Sequence, residues 1–303
     1  MSAKQLRAIA IGVVVLLILW GASERWSRRP DRTATNLRLP ALTASEVDSV
    51  AIIQEADTVR LVKQPSGAWT VNRHPASQSG VNDLFQALRD STRSDVVAES
   101  PSSFARMGVD SGSSRLVRLS GGGKPLAQLF VGEAGPGGDA HYVRLAGDAR
   151  VYLLPGRLPT LLRRSADDWR DRQIGAVAPE SIAVVEIQRG TKRSTLRKQG
   201  AAWVLSSGAR ADSAAVARFL DHFRNVTAAG FATDRQADSL TFARPERRVS
   251  VRGTAAHTLL ALVFDSTEAG FWVRNPQGGT VYRLDFWQVD ELTPSEDALK
   301  SHP

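Results

Sequence analysis

The chain is expected to fold as an α+β protein, an N-terminal transmembrane helix followed by two tandem copies of a mostly antiparallel sheet module with one packed helix each. Three observations predict this. His141-Tyr142-Val143-Arg144 followed by Val151-Tyr152-Leu153-Leu154 returns about 130 residues later as Phe271-Trp272-Val273-Arg274 followed by Val281-Tyr282-Arg283-Leu284. An apolar stripe at helical spacing, Val81, Leu84, Phe85 and Leu88, returns as Val216, Phe219, Leu220 and Phe223. Ahead of both, Val13-Val14-Val15-Leu16-Leu17-Ile18-Leu19-Trp20 forms an apolar run inside a stretch, Ala8 to Ser23, with no charged residue.

These observations divide the chain into a membrane anchor (1–26), a juxtamembrane linker (27–45), a first α+β module (46–157), a connecting helix (158–178), a second α+β module (179–294) and a tail (295–303). The apolar run is a little short for a hydrocarbon core of ~30 Å, and Trp20, Trp26 and a snorkelling Arg25 extend its reach. A cleaved signal peptide starting at Lys4 and Arg7 is the alternative reading. The module body is expected outside the cytoplasm, in the periplasm, although the Lys and Arg counts flanking the run, taken alone, favour a cytoplasmic C-terminus. From about Ser27 to Thr43 the sequence is rich in Arg, Pro and Thr without periodicity, as suits a linker.

Each module opens with short β-branched runs, Ser49-Val50-Ala51-Ile52-Ile53 and Ser181-Ile182-Ala183-Val184-Val185. Strands at Thr58 to Gln64 and Ser194 to Gln199 follow, then tryptophan-bearing strands around Trp69 and Trp203. The helices come next, with Ser79 and Asp212 as N-caps. Beyond a variable loop lie strands at Leu116 to Leu119 and Val249 to Val251, then Leu126 to Val131 and Thr258 to Phe264, and finally the Tyr142/Trp272 and Tyr152/Tyr282 strands. Short Gly, Pro and Asn turns make consecutive strands antiparallel neighbours. Leu158 to Arg172 reads as one connecting helix, with Leu161, Leu162 and Trp169 on its apolar side.

A length of 303 residues and a hydrophobic fraction of 42% allow two modules with real cores. The formal charge of +8 is concentrated at the N-terminus, where seven Lys and Arg stand against two acids in residues 1–40, so only +3 remains for the modules. No nucleic-acid partner is expected, since no recognition motif accompanies the charge. The absence of cysteine removes disulfides, thiol nucleophiles and thiolate metal sites.

Trp69 before the Val81 to Leu88 helix, Met107-Gly108-Val109-Asp110 before a strand, Gly132 in a turn, Tyr142-Val143-Arg144, Val151-Tyr152 and Leu162 through Trp169-Arg170-Asp171-Arg172 occur in that order. This order resembles the bacterial domain-of-unknown-function family four-three-four-zero. The resemblance implies a membrane-anchored extracytoplasmic protein, with subunits of a gliding-motility-type ABC transporter as partners, and it supplies no catalytic residues. The second copy departs from the pattern, with Leu240-Thr241-Phe242 where the glycine motif falls and Phe264 at the place of Gly132.

No catalytic constellation emerges, and neither cofactor nor metal is expected. Ser120-Gly121-Gly122-Gly123-Lys124-Pro125 has the wrong spacing for a phosphate-binding loop and reads as a hairpin turn. Gly132 to Gly138 lacks a following helix and reads as a flexible turn. The five histidines form no metal-type pair, and Asp167, Asp168 and Asp171 sit among Arg163, Arg164, Arg170 and Arg172 as a salt-bridged helix face. The candidate contacts for a partner or ligand are Phe286, Trp287, Trp272 and Tyr142. The other readings are core packing for Tyr142 and Trp272, as for Trp69 and Trp203, and capping of the second sheet by the terminal amphipathic segment that carries Phe286 and Trp287 with Val289 and Leu292. The expected function is a non-enzymatic, membrane-anchored extracytoplasmic scaffold or accessory protein, associated with an ABC-type export or motility complex. The alternative is a module that binds a cell-envelope polymer or small ligand in a groove between the two copies.

Overall fold

The computed structural model describes residues 43–54, 57–90, 94–255 and 257–301. It divides into two compact units, the first taking the described residues through Asn72 together with Gln78–Ala166, the second Arg73–Ser77 together with Asp167 onward. Each is α+β, and each is built on one large antiparallel sheet.

The strands of the first half are β1 (Ser49–Gln54), β2 (Asp57–Lys63), β3 (Trp69–Val71), β4 (His74–Pro75), β5 (Asp95–Ala98), β6 (Arg115–Gly121), β7 (Lys124–Ala134), β8 (Ala140–Leu145) and β9 (Val151–Pro155). In the first unit they run β3-β2-β1-β6-β7-β8-β9-β5, every recorded pairing antiparallel. Alternation along each strand sends Val50, Ile52, Leu61, Val71, Val117, Leu119 and Leu129 to one buried face. Helix α1 (Gln78–Asp90) buries Val81, Leu84, Phe85 and Leu88, and the Phe85 ring meets Trp69 at 5.6 Å between centroids. Full burial of such side chains stabilises by roughly 1.5–3 kcal/mol each. α1 comes after β3 and β4 in the chain and is followed by β5, which lies at the opposite end of the strand order from β3.

The opposite face is capped at one end by a 3₁₀ turn at Pro101–Ser103 and a one-turn helix, α2 (Phe104–Met107). There Met107, Val109, Phe130 and Val151 form a second, smaller apolar cluster against Tyr142 and Leu116. β9 leads into α3 (Arg157–Leu162), and a further short helix, α4 (Ala166–Trp169), follows.

The second unit repeats this plan with β11 (Val184–Arg189), β12 (Lys192–Gln199), β13 (Ala202–Leu205), β15 (Gly230–Phe231), β16 (Arg247–Arg252), β17 (Thr258–Thr267), β18 (Gly270–Arg274) and β19 (Val281–Leu284). The order is β13-β12-β11-β16-β17-β18-β19-β15, while β10 (Gln173–Gly175) pairs separately with β14 (Val226–Thr227). Helix α5 (Ser213–Asp221) lies on the core face with Val216, Phe219 and Leu220, and α6 (Asp234–Ser239) belongs to the opposite face. A last helix, α7 (Phe286–Leu292), adds Val289 and Leu292 to the main core. Within this unit β4 is held by Asp171 N–H donating to the Pro75 carbonyl (2.9 Å) and by His74 Nε2 at 3.2 Å from Asp234.

Several expectations are corrected. The second copy does not begin its strand at Ser181: Pro179–Ser181 is a 3₁₀ turn and β11 starts at Val184. Cross-strand register makes Val185 the counterpart of Val50, since these pair with Leu196 and Leu61, so the copies are offset by 135 here. The resemblance between Ser181-Ile182-Ala183 and Ser49-Val50-Ala51 misplaces the match by three residues. Phe264 is likewise not at the place of Gly132. It pairs with Val273 as Val131 pairs with Val143, which puts Asp265 opposite Gly132 in the comparison.

The connecting segment is two short helices rather than one. Arg163 ends α3, and Ser165 followed by Asp167 and Asp168 restarts the chain as α4, acids in a first turn favouring a new helix N-terminus. Ser79 falls inside the first turn of α1, whereas Asp212 caps α5 by accepting from Ala215 N–H at 2.6 Å. Strands β5 and β15 replace what reads as loop. The expected membrane helix, Val13 to Trp20, lies outside the described residues. Among the described residues no helix is long and apolar enough to cross a membrane.

Candidate functional site

Of the four residues singled out as contacts, two stand in solvent and two do not. Phe286 is 50% exposed and Trp287 is 61% exposed, both on the first turn of α7. Tyr142 and Trp272 occupy matched places and are half-buried, Tyr142 against the Met107–Val109 cluster and Trp272 against Phe242, Val263 and Val281. They are packing residues of the two outer caps. Trp69 is buried and Trp203 packs against the main core of the second unit.

The position of α7 is set by local chemistry. Asp285-Phe286-Trp287-Gln288 is a capping-box sequence, and Asp285 N–H donates to Gln288 Oε1 at 3.0 Å. Arg283 Nη1 donates to Asp285 Oδ1 (2.8 Å) and to the Ala269 carbonyl (3.1 Å), and Gln288 Nε2 reaches the Thr227 carbonyl (3.1 Å). With Val289 and Leu292 anchored below, Phe286 and Trp287 are projected from a fixed backbone. The Phe286 ring rests edge-on against Phe271, centroids 5.7 Å apart, while Trp287 lines an open groove of about 360 Å³.

The far wall of that groove comes from the turn after α5, with Asp221, His222, Arg224 and Asn225, and Glu291 stands on the α7 side. His222 Nδ1 is 3.5 Å from Glu291 Oε2, and Arg224 Nε donates to Asp221 at 2.9 Å. These pairs are more than a third exposed and contribute at most ~1 kcal/mol each. The arrangement offers one broad aromatic surface rimmed by groups of both signs, which suits binding. The helical stripe expected to end at Phe223 runs past α5 into a 3₁₀ turn, His222–Arg224, and it marks the buried Phe223 but not the polar neighbours that line the groove.

Titratable groups that depart from their ordinary values are found in structural roles. Asp148 accepts from Arg150 Nε and from the Tyr152 hydroxyl, both at 3.0 Å, and Arg150 holds its carboxyl below the usual range. Burial, then the bond to Asp148, raises the Tyr152 phenol. Asp110 is lowered by Ser113 Oγ and by the amides of Gly112 and Ser113, which it ties into a turn. Among the described residues no group of three His, Cys, Asp or Glu is placed to hold a metal. Gly122 and Gly123, both at positive φ, form the two-residue turn of the β6–β7 hairpin, as their sequence predicts.

The glycine motif and the repeated arginine have a joint explanation. Gly108 closes α2 at φ 64°, and a Cβ on Gly132 would fall 2.2 Å from the Met107 carbonyl oxygen, so the bare glycine lets the cap reach the sheet. Arg144, only 9% exposed, donates from Nε and Nη2 to the Val109 carbonyl at 3.1 and 3.0 Å. Its guanidinium lies between the Phe104 and Phe130 rings, 4.2 and 4.1 Å from their centroids. In the second copy Arg274 lies 4.8 Å from the Phe242 ring, and its Nε is buried without a hydrogen-bond partner.

Fold and site together define a duplicated-sheet protein, each copy carrying a capped outer face with an arginine against the cap, between two aromatic rings in the first and over one in the second, and the second adding a helix with exposed aromatics. The family model described as a domain of unknown function (DUF4340) matches residues 69–245, more than half of the chain, and the chain belongs to that family. No curated protein and no solved structure matches it.

Proposed function

We propose that the protein is a membrane-anchored, extracytoplasmic scaffold or accessory protein without enzymatic activity, and that α7 is its docking element for a membrane complex of the ABC export or motility type. The observation that carries this reading is the pair Phe286 and Trp287, two large exposed aromatics on a helix whose backbone is pinned at Asp285 and whose far side is core. Rigid aromatic anchors of this kind dominate the energy of protein interfaces. The polar groups with shifted protonation serve turns and packing, which supports a non-catalytic role.

A photo-crosslinking residue placed at 287 in the full chain, activated in native membranes, should capture a transporter subunit. Adducts only with the protein itself, in repeated experiments, would sink the docking reading. Protease shaving of spheroplasts should digest both units, and protection until lysis would overturn the extracytoplasmic placement.

The second reading is binding of a cell-envelope saccharide or other small ligand in the groove beside Trp287. Stacking on the indole and the mixed polar rim favour it. Soluble glycan fragments should then quench Trp287 fluorescence, an effect absent from Trp287→Phe if the assignment is right.

A further inference from the structure

We propose that the open half of the outer face of the second sheet binds the phosphate-bearing headgroups of an anionic lipid surface. The inference rests on the sheet face alone and does not depend on the docking role of α7.

Val185, Ile187, Leu196, Val249 and Val251 face the core, so Val184, Glu186 and Gln188 of β11 point the other way. The register then places Arg197 and Arg252 on either side of Val184, and Arg193 and Arg248 on either side of Gln188. The first row continues through Val204 to Arg210, giving arginine on every second strand. Neighbours within a row stand about 10 Å apart, and the two rows are separated by about 13 Å along the strands. Glu186 sits between the rows and pairs with Arg252 at 3.0 Å. Among the described residues no carboxylate is within ion-pair distance of Arg193, Arg197, Arg210 or Arg248. The other half of this face is covered by α6 and Phe242.

The duplication shows that the fold does not require these charges. The first copy, in the same register, has Thr58 for Arg193, Val62 for Arg197, Leu116 for Arg248 and Ser120 for Arg252. The outer face of the first copy carries one arginine row, Arg60 and Arg118 on either side of Ala51, whereas the second holds two, at positions that the first fills with uncharged residues. Two rows of bidentate donors, spaced by Val184 and Val204 in the first and by Gln188 in the second, spread guanidinium groups across the sheet face rather than along one line, which is complementary to a plane of headgroups.

The chain lacks cysteine, so Thr195→Cys, between the rows, takes a single fluorophore. The full chain would be reconstituted in vesicles with a spin-labelled quencher at headgroup depth. Association of the face should be at least about tenfold stronger with phosphatidylglycerol than with neutral lipid, and should vanish near ~1 M salt, where the Debye length is about 3 Å. The variant R193Q/R197Q/R248Q should fall to the neutral-lipid level, whereas R60Q/R118Q, which removes charge from the first sheet, should not. Quenching indifferent to lipid charge, or lost equally in both variants, would overturn the proposal. So would polyphosphate or duplex DNA binding that depends on the three arginines without any quenching in vesicles, which would assign the face to a soluble polyanion.

Discussion

The two units share a sheet order, a crossing helix and a capped outer face, yet they hold the cap down differently. In the first, Gly108 and Gly132 allow backbone to meet backbone, and Arg144 fastens the joint by two hydrogen bonds and two aromatic contacts. In the second, Phe242 fills the place of the glycine turn, and α6 is held by its own capping box at Thr233 and Gln236. Arg274 survives there with one ring and an unsatisfied Nε. A duplicated scaffold can thus keep a residue after the reason for keeping it has weakened, and sequence identity between copies overstates their equivalence.

Mutations separate the two arrangements. Gly132→Val should have the largest effect, destabilising the first unit by about 3 kcal/mol or more because its Cβ would overlap the Met107 carbonyl. Urea unfolding followed by hydrogen exchange should show the loss confined to that unit, and an equal loss in the second would break the comparison. Arg144→Met should cost about 2–3 kcal/mol, since it strips both donors from the Val109 carbonyl, against about 1 kcal/mol or less for Arg274→Met. Equal values would mean that ring contact alone fastens the caps.

A smaller effect, about 1 kcal/mol, is expected from Asp148→Asn, and it depends on pH. The folded-state value of Asp148 is depressed, chiefly by Arg150, so its contribution is present above the unfolded carboxylate range near ~4 and disappears as pH falls through the folded value. Thermal melts at decreasing pH should therefore converge for wild type and variant. The smallest effect, within about 0.5 kcal/mol, belongs to Trp287→Ala, whose side chain is mostly in water. A large loss there would show that the indole serves the core.

Alternating burial made most of the sheet legible in the sequence, because core-facing residues such as Val50, Ile52, Val249 and Val251 must recur with a period of two. The stripes of α1 and α5 were legible for the same reason at a period of 3.6. Strands β5 and β15 were not, being four and two residues long and paired with β9 and β19 across 50 or more residues of chain. Trp287 was visible as one of a pair of large aromatics, with Phe286, on the terminal amphipathic segment that carries Val289 and Leu292. The rest of its groove was not, since His222 and Asp221 reach it only through tertiary packing, and the arginine lattice emerges only once register aligns arginines from three different segments.

The route of the chain through each sheet carries a kinetic consequence. Each sheet consists of two local meanders joined along a long-range seam, β1 to β6 in the first unit and β11 to β16 in the second, with one more long-range pair, β5 on β9 and β15 on β19, at its edge. The seam residues are far apart in sequence, Ser49 meeting Ser120 and Val184 meeting Arg252, so loop closure rather than hairpin formation sets the pace of folding. A chain emerging from its N-terminus holds β1 as an unpaired, β-branched edge until Ser120 arrives, and β11 until Arg252 does. During those two intervals the nascent protein is open to strand pairing with its neighbours, and a holdase that covers a bare edge would act there.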